Sequence, residues 1–340
     1  MNNLVDQLVP FQARQFIRAC FHSPFRIKDL IVNYLYDLSR YTYHSSSLQF
    51  LFSKQQLQSW IDADYHKLEK GMALHRPRPG FGQGVAERLI RQTESYITKY
   101  GTDKSIQNSI SVLNVYKEFN QTHDIDLPYI YSKIQSLVDT YLGPNAQGGY
   151  HNMSKQEWLS NAKINLLPFF KSRHSVRDFS DKPVDFLLIK QAVEMAIYTP
   201  TVCNRQAAKV HAYTDNDSRQ KIINCQMGNA GFGEQIKAVL MITVDRQCFF
   251  SAGERNQCWI DGGLLSMSVI YALHSLGLGT CCLNWSVTKS QDIKLRTIAD
   301  IKNSEAVIMM IAVGHLKDEF KIAKSARKSI DHFLIQGKCK

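Results

Sequence analysis

What the chain lacks narrows it first. Its eight cysteines contain no C-x-x-C pair, which excludes a zinc ribbon and a dithiol redox motif. Cys281 and Cys282 stand together in an apolar run, where free thiols behave as small hydrophobes, and a reducing cytoplasm is the expected compartment. No uninterrupted apolar stretch reaches the ~18 residues of a membrane span, and the start, Met1 to Asp6, has neither the basic opening nor the apolar run of a signal peptide. A soluble, cytoplasmic protein with no membrane partner is expected. Internal repeats and low-complexity tracts are missing, so solenoids and disordered tails are not expected.

What is present is a globular composition with an excess of positive charge. A 44% hydrophobic and 21% charged content supports packed cores. The formal charge of +11 favours anionic partners, phosphorylated cofactors among them. Nucleic acid is not expected, because no recognised module and no basic–aromatic interleaving accompanies the charge.

The first half reads as helical almost throughout. Leu30, Ile31, Tyr34, Leu35 and Leu38 recur at helical spacing, as do Leu89, Ile90, Tyr96 and Ile97 ahead of Gly101. Ile106, Ile110, Leu113 and Phe119 predict another helix, and Ile130, Ile134, Leu137, Val138 and Tyr141 one more. The loop from His75 to Gly84 carries two prolines, three glycines and two arginines; with no strand before it, it reads as a connection rather than a dinucleotide fingerprint. His66 and Glu69, one turn apart, would need a second such pair to bind a metal, and no metal site is expected. Gly143 to Gly149 combines a helix stop, a proline and flexible glycines, and divides the chain into an all-α domain over 1–150 and a second domain over 151–340.

Beyond that boundary, Ser154 with Glu157 opens a helix running towards Leu167. Then comes Arg173-His174-Ser175-Val176-Arg177-Asp178-Phe179, with two guanidiniums, an imidazole and a hydroxyl within five residues. In an extended segment Arg173, Ser175 and Arg177 project to one side, a donor set suited to a phosphate or a flat anion. Helices follow at 186–197 and 217–227, strands at 209–214 and 238–244, a long helix at 261–276, and strands at 280–283 and 306–313. This order predicts a sheet buried on both faces.

These residues resemble the flavin-dependent nitroreductase family, over about Arg173 to Phe333. The segment 173–179 fits the family's opening R-[RH]-S-x-[RK]-x-F element. The loop Thr199-Pro200-Thr201-Val202-Cys203-Asn204-Arg205-Gln206-Ala207 keeps Pro200, Asn204 and Gln206 of A-P-S-x-x-N-x-Q-P, with Thr201 for serine and Ala207 for proline. Gly228-Asn229, Gly277-Leu278-Gly279-Thr280, Gly314-His315 and Ser325-Ala326-Arg327 follow in the family's order. The resemblance implies an α+β nitroreductase-like FMN-binding fold, a mixed sheet flanked by helices, here preceded by the all-α domain.

It also implies a homodimer with FMN at the interface, NAD(P)H as reductant and a small electron-poor acceptor such as a nitroaromatic, a quinone or an enone. Arg173, Ser175 and Arg327 are the implied phosphate ligands, with His174 adjacent and Lys324 or Lys328 assisting. Arg177 would face the N1–C2=O edge of the ring and Asn229 its pyrimidine end. Pro200, Thr201, Asn204 and Gln206 belong to the loop reaching over from the partner chain, and the backbone at Gly279 lies near the ring. No catalytic side chain is nominated, since the flavin carries the hydride. Cys203 paired with His211 or His274 is a weaker nucleophile reading than a small loop residue. Trp285 lines the pocket or fills the core, and Phe232 stands where some relatives carry a lysine. A flavin-binding interaction or regulatory protein without NAD(P)H turnover is the alternative function.

Overall fold

The computed structural model describes residues 24–48, 53–162, 164–323, 325 and 327–339. Helix α1 spans Pro24–His44 and is followed by α2 (Lys54–Met72), α3 (Gln83–Tyr100), α4 (Lys104–Gln121) and α5 (Pro128–Tyr141). Local chemistry sets their ends. Ser53 closes a capping box with Gln56, through Gln56 N–H to Ser53 Oγ at 3.1 Å and Ser53 N–H to Gln56 Oε1 at 2.8 Å. Gly101, at φ +76°, stops α3. The Asp103 carboxylate takes the first free N–H groups of α4, from Ser105 and Ile106. Pro128 opens α5, where its missing N–H costs nothing.

Helices α2 to α5 enclose one core. Ile61, Leu68, Leu89, Ile106, Ile110, Leu113 and Ile134 are fully buried in it, and trimming one such leucine to alanine costs ~2–5 kcal/mol. The loop after α2 is rigid, as its prolines and glycines suggest. Gly80 N–H bonds Asn120 Oδ1 at 2.7 Å, and the Phe81 ring occupies the space that a side chain on Gly71 would need. His66 and Glu69 do pair, at 3.3 Å, but Glu69 also accepts Gly149 N–H at 3.1 Å, and the described residues hold no cluster able to bind a metal.

The glycine linker differs from the expectation of flexibility. Gln147 N–H bonds Asn108 Oδ1 at 2.9 Å, and a Cβ on Gly148 would lie 2.5 Å from Val112 Cγ2. The glycines let the chain lie flat on α4. Next come α6 (Lys155–Ala162) and α7 (Leu166–Ser172), two helices where one was expected. The break places Pro168 in the first turn of α7, where no N–H is required of it.

In the second half, α8 (Phe186–Ala196), β1 (Ala208–Tyr213), α9 (Asn216–Ile223), β2 (Ala238–Asp245), α10 (Gln257–Ser275), β3 (Leu278–Asn284), α11 (Lys289–Ile298), β4 (Glu305–His315) and the short α12 (Ile330–Phe333) follow. The strands form one sheet, ordered β1-β2-β4-β3, with every neighbouring pair antiparallel. The segment after α7 adds a parallel bridge from Ser175 to Thr280 and an antiparallel one from Phe179 to Leu316, which makes the sheet mixed at that edge. Leu240, Ile242 and Val244 face α8 and α10, whereas Val239 and Met241 face the side of α9 and α11. Burial on both faces follows from the unbroken apolar runs of β2 and β4. Trp285 and Phe232 both belong to the second of these cores, each 6% exposed.

Helix α1 departs most from its periodicity. Leu30, Ile31, Tyr34, Leu35 and Leu38 are all more than half exposed, and the helix docks on the sheet domain through its polar side instead. Tyr36 hydroxyl donates to Asp292 at 2.8 Å, Arg40 donates to the Asn303 and Glu305 carbonyls at 2.7 Å, and Asn33 accepts Lys289 N–H at 2.6 Å. Helix α2 makes the other junction, its Trp60 ring stacked on Phe250 at 4.2 Å. Among the described residues, no helix is long and apolar enough to cross a membrane.

Candidate functional site

The segment 173–179 is anchored through two apolar side chains and its backbone. Val176 and Phe179 are buried, Val176 N–H bonds the Thr280 carbonyl at 2.9 Å, and Ser180 N–H bonds the His315 carbonyl at 2.9 Å. Two glycines permit this seat. A Cβ on Gly314 would meet the Phe179 ring at 2.6 Å, and one on Gly279 would meet Leu316 at 2.8 Å and Val176 at 3.2 Å. The close approach at Gly279 is therefore made by residues 176 and 316 of the chain itself.

With Val176 turned inward, Arg173, His174 and Ser175 open into a cleft of about 660 Å³, which Arg327 and Ser325 enter from the far end of the sequence. Tyr271 and Cys282 form its floor, and Phe170 flanks it, 4.6 Å from the Tyr271 ring. The cations lining it are Lys171, Arg173 and Arg327, beside the His174 imidazole, with no carboxylate in the lining. Burial, then Arg173 and His174, push the neighbouring His274 imidazole below its ordinary pKa. His274 is held by Ser172 Oγ at 2.9 Å. Arg327 donates to the Ser325 carbonyl, and Ser325 takes a left-handed φ of +46°. Lys328 is turned to His332 at 3.0 Å, and Lys324 lies outside the described residues.

The other candidates fall into two further groups. Arg177 is exposed beside the ion pair of Asp178 and Lys317. Asn229 donates to the Ile223 carbonyl at 3.2 Å, within a turn that Gln226 ties to the Asn284 carbonyl at 2.6 Å. This turn stands at the end of β3, the strand whose Cys282 lines the cleft. Pro200, Thr201, Asn204 and Gln206 lie on a loop along α10 and do not line the cleft in their own chain.

That loop is strained and strongly held. Cys203, Asn204 and Gln206 all take φ near +50° without being glycine, a cost kept only where surroundings over-determine the backbone. Asp261 accepts Val202 N–H, Thr201 Oγ1 accepts Gln206 N–H at 3.1 Å, and Thr199 donates to Ser268 at 2.6 Å. Arg205, its side chain fully buried, forks onto Glu254 at 2.5 and 3.2 Å and donates to the Cys248 carbonyl at 2.6 Å. Its guanidinium also stacks on Phe250 at 4.2 Å. Cys203 has no basic partner, since His211 is bound to Thr243 and Glu305 and His274 to Ser172. Sequence reasoning passed over Arg205, because Glu254 lies far along the chain and leaves no spacing signal. Tyr271 and Cys282 were likewise missed, since each falls inside an apolar run read as core.

Residues 170–245 match the model of the nitroreductase family. No curated protein matches the sequence. Among solved structures, a nitroreductase family protein from Streptococcus pneumoniae is 19% identical, covering 51% of this chain and 100% of its own, with a TM-score of 0.45. An FMN-dependent nitroreductase from Clostridium difficile is 20% identical, covering 46% and 91%, with a TM-score of 0.40. The cationic cleft opens on the segment with which the matched stretch begins. The likeness to the nitroreductase family thus falls on residues 170–245, within the second half of the chain.

Proposed function

We propose that the protein is an FMN-dependent oxidoreductase that passes hydride from NAD(P)H to a small electron-poor acceptor, a nitroaromatic, quinone or enone, and works as a homodimer. The observation that carries this reading is the meeting of Arg173, His174, Ser175 and Arg327 in one cleft from opposite ends of the second half. The donor set fits the group: a phosphate of roughly two negative charges calls for forked guanidiniums and a hydroxyl. The volume also lies within the ~300–1,000 Å³ of small-molecule sites. When bound, FMN supplies the hydride-accepting and hydride-donating centre.

The residues of the chain bind and orient. Arg173, Ser175 and Arg327 grip the phosphate. Arg177, exposed along the same segment, offers a fixed positive charge to the edge of the ring where reduction places negative charge. Asn229 and the backbone at the end of β3 border the ring. The loop of Pro200, Thr201, Asn204 and Gln206 reaches the ring from the second copy. Its absence from the cleft of its own chain supports that assignment. So does the exposed apolar side of α10, Ile260 and Leu264, beside exposed Ile197 and Tyr198.

Purified protein titrated with FMN, then reduced anaerobically with NADH or NADPH, tests the reading. Uptake of FMN, bleaching by a nicotinamide and recovery with an acceptor are expected. Arg173→Ala and Arg327→Ala each remove a charge-assisted hydrogen bond of ~1.5–3 kcal/mol, a loss of roughly tenfold to a hundredfold in FMN affinity. Uptake without bleaching would favour the regulatory alternative, and no uptake at all would end the proposal.

A further inference from the structure

A second cavity, of about 700 Å³, lies between α1 and the end of the sheet, lined by Tyr34, Tyr36, Arg40, Arg246, Trp259 and Trp285 among others. Its arginines are unequal. Arg40 donates to Asp292 at 3.1 Å and to two carbonyls at 2.7 Å. Arg296, close behind, donates to Asp292 at 2.8 Å and to the Lys302 and Glu305 carbonyls. Asp292 is committed to other groups: Arg40, Arg296 and Tyr36 share one oxygen and Trp285 Nε1 donates to the other.

Arg246 is left over. It is 4% exposed, its Nη1 has no hydrogen-bond partner, and its side chain joins no ion pair among the described residues. A buried guanidinium is costly unless paired; burial is what chiefly pulls Arg246 below its ordinary range, with Cys258 and Asp37 acting against the shift and Arg296 with it. Burial and the nearby Arg246 and Arg296 push Arg40 down to about 10. Lys289 adds a third cation to the lining, its Nζ 5.6 Å from the Tyr36 ring centre. Against Arg40, Arg246 and Lys289 stand two carboxylates, Asp37 and Asp292, leaving one positive charge.

We propose that this cavity binds a small aromatic monocarboxylate, its carboxylate on Arg246 and its ring among Tyr34, Trp259 and Trp285. One surplus charge suits a monoanion better than a phosphate dianion, whose second charge would be left without a cation of its own beside Asp37. The aromatic side chains supply flat apolar walls for an unsaturated body. A guanidinium fork matches a carboxylate edge in two parallel hydrogen bonds. The site is separate from the Arg173 cleft and does not rest on the redox reading, although the two touch the same strand: Cys282 lines one cavity and Asn284 the other.

Benzoate, with benzamide as its neutral isostere, is the probe, followed by calorimetry and by tryptophan fluorescence on the full chain. Benzoate is expected to bind at least tenfold more tightly than benzamide and to quench a signal that Trp259→Phe removes. Arg246→Met should weaken benzoate at least tenfold and leave benzamide unchanged, and Arg246→Lys should fall between. Tyr34→Ala, on an exposed helix face where folding is not at stake, should weaken both probes alike. Equal binding of the two probes, or an Arg246→Lys protein with native circular dichroism and unchanged benzoate affinity, would overturn the proposal. Inorganic phosphate binding more tightly than benzoate would do the same.

Discussion

Replacing Arg205 by methionine isolates what holds the 199–207 loop. The side chain forms a forked pair with Glu254, caps the Cys248 carbonyl and stacks on Phe250, which in turn stacks on Trp60 of α2. Breaking a buried pair from one side costs ~3–5 kcal/mol. Glu254 keeps 19% exposure and its bond from Phe250 N–H at 2.9 Å, so water recovers part of that loss. The Cys248 carbonyl, on a fully buried residue, loses a donor at a cost of ~1–3 kcal/mol. The net expectation is about 3–4 kcal/mol, a fall in melting temperature of roughly 6–16 °C for a domain of this size. Thermal melts of the wild type, Arg205→Met, Glu254→Gln and the double variant complete a cycle, and the two single losses should fail to add by more than ~1 kcal/mol. Additivity within ~0.5 kcal/mol, or a shift of Arg205→Met below about 2 °C, would show that the loop is held by something else.

Three further outcomes follow from the same geometry. Burial raises the Asp62 carboxyl to about 6 against hydrogen bonds from Ser105 and Gln58, so its charged form works against folding above that pH. Asp62→Asn should gain up to ~3 kcal/mol at pH 8, and the gain should shrink to nothing near pH 4; denaturant titrations at both values check it. Burial alone would raise Glu305, but bonds from His211, Lys209 and Thr243 hold it at about 2. Stability should then be lost between about pH 4.5 and 2, and Glu305→Gln should flatten that limb of an acid titration. Gly314→Ala drives a Cβ into the Phe179 ring; a loss of ~1–3 kcal/mol and weaker FMN uptake are expected, read by melting and by flavin titration.

How far the sequence disclosed all this depends on how local each signal was. Strands β2 and β4 were legible because an unbroken apolar run has few other uses, and α8 because Asp185 marks its start. Arg173 and Ser175 were legible as neighbours, whereas Arg327 entered only through the family resemblance, since nothing in its own surroundings says where it folds back. Helix α1 was found but its docking face was not: an apolar stripe says which side favours contact, and here polar bonds from Tyr36 and Arg40 decide the contact. Pro168 was in plain view, yet the capping signal at Ser154 suggested one helix running up to it rather than a second helix with Pro168 in its first turn. Arg205 and Glu254 find each other only in the folded chain.

The path of the backbone gives the seating of α1 a further meaning. The chain lays α1 on the sheet domain, leaves to build the four-helix bundle, and returns through α7, whose Ser172 bonds His274 at 2.9 Å. Both ends of the bundle are thus moored to the same body, as in an inserted module rather than a trailing appendage. Such a module can drift in sequence, grow or shrink while its two moorings stay put, and the machinery around Arg173 would keep its shape.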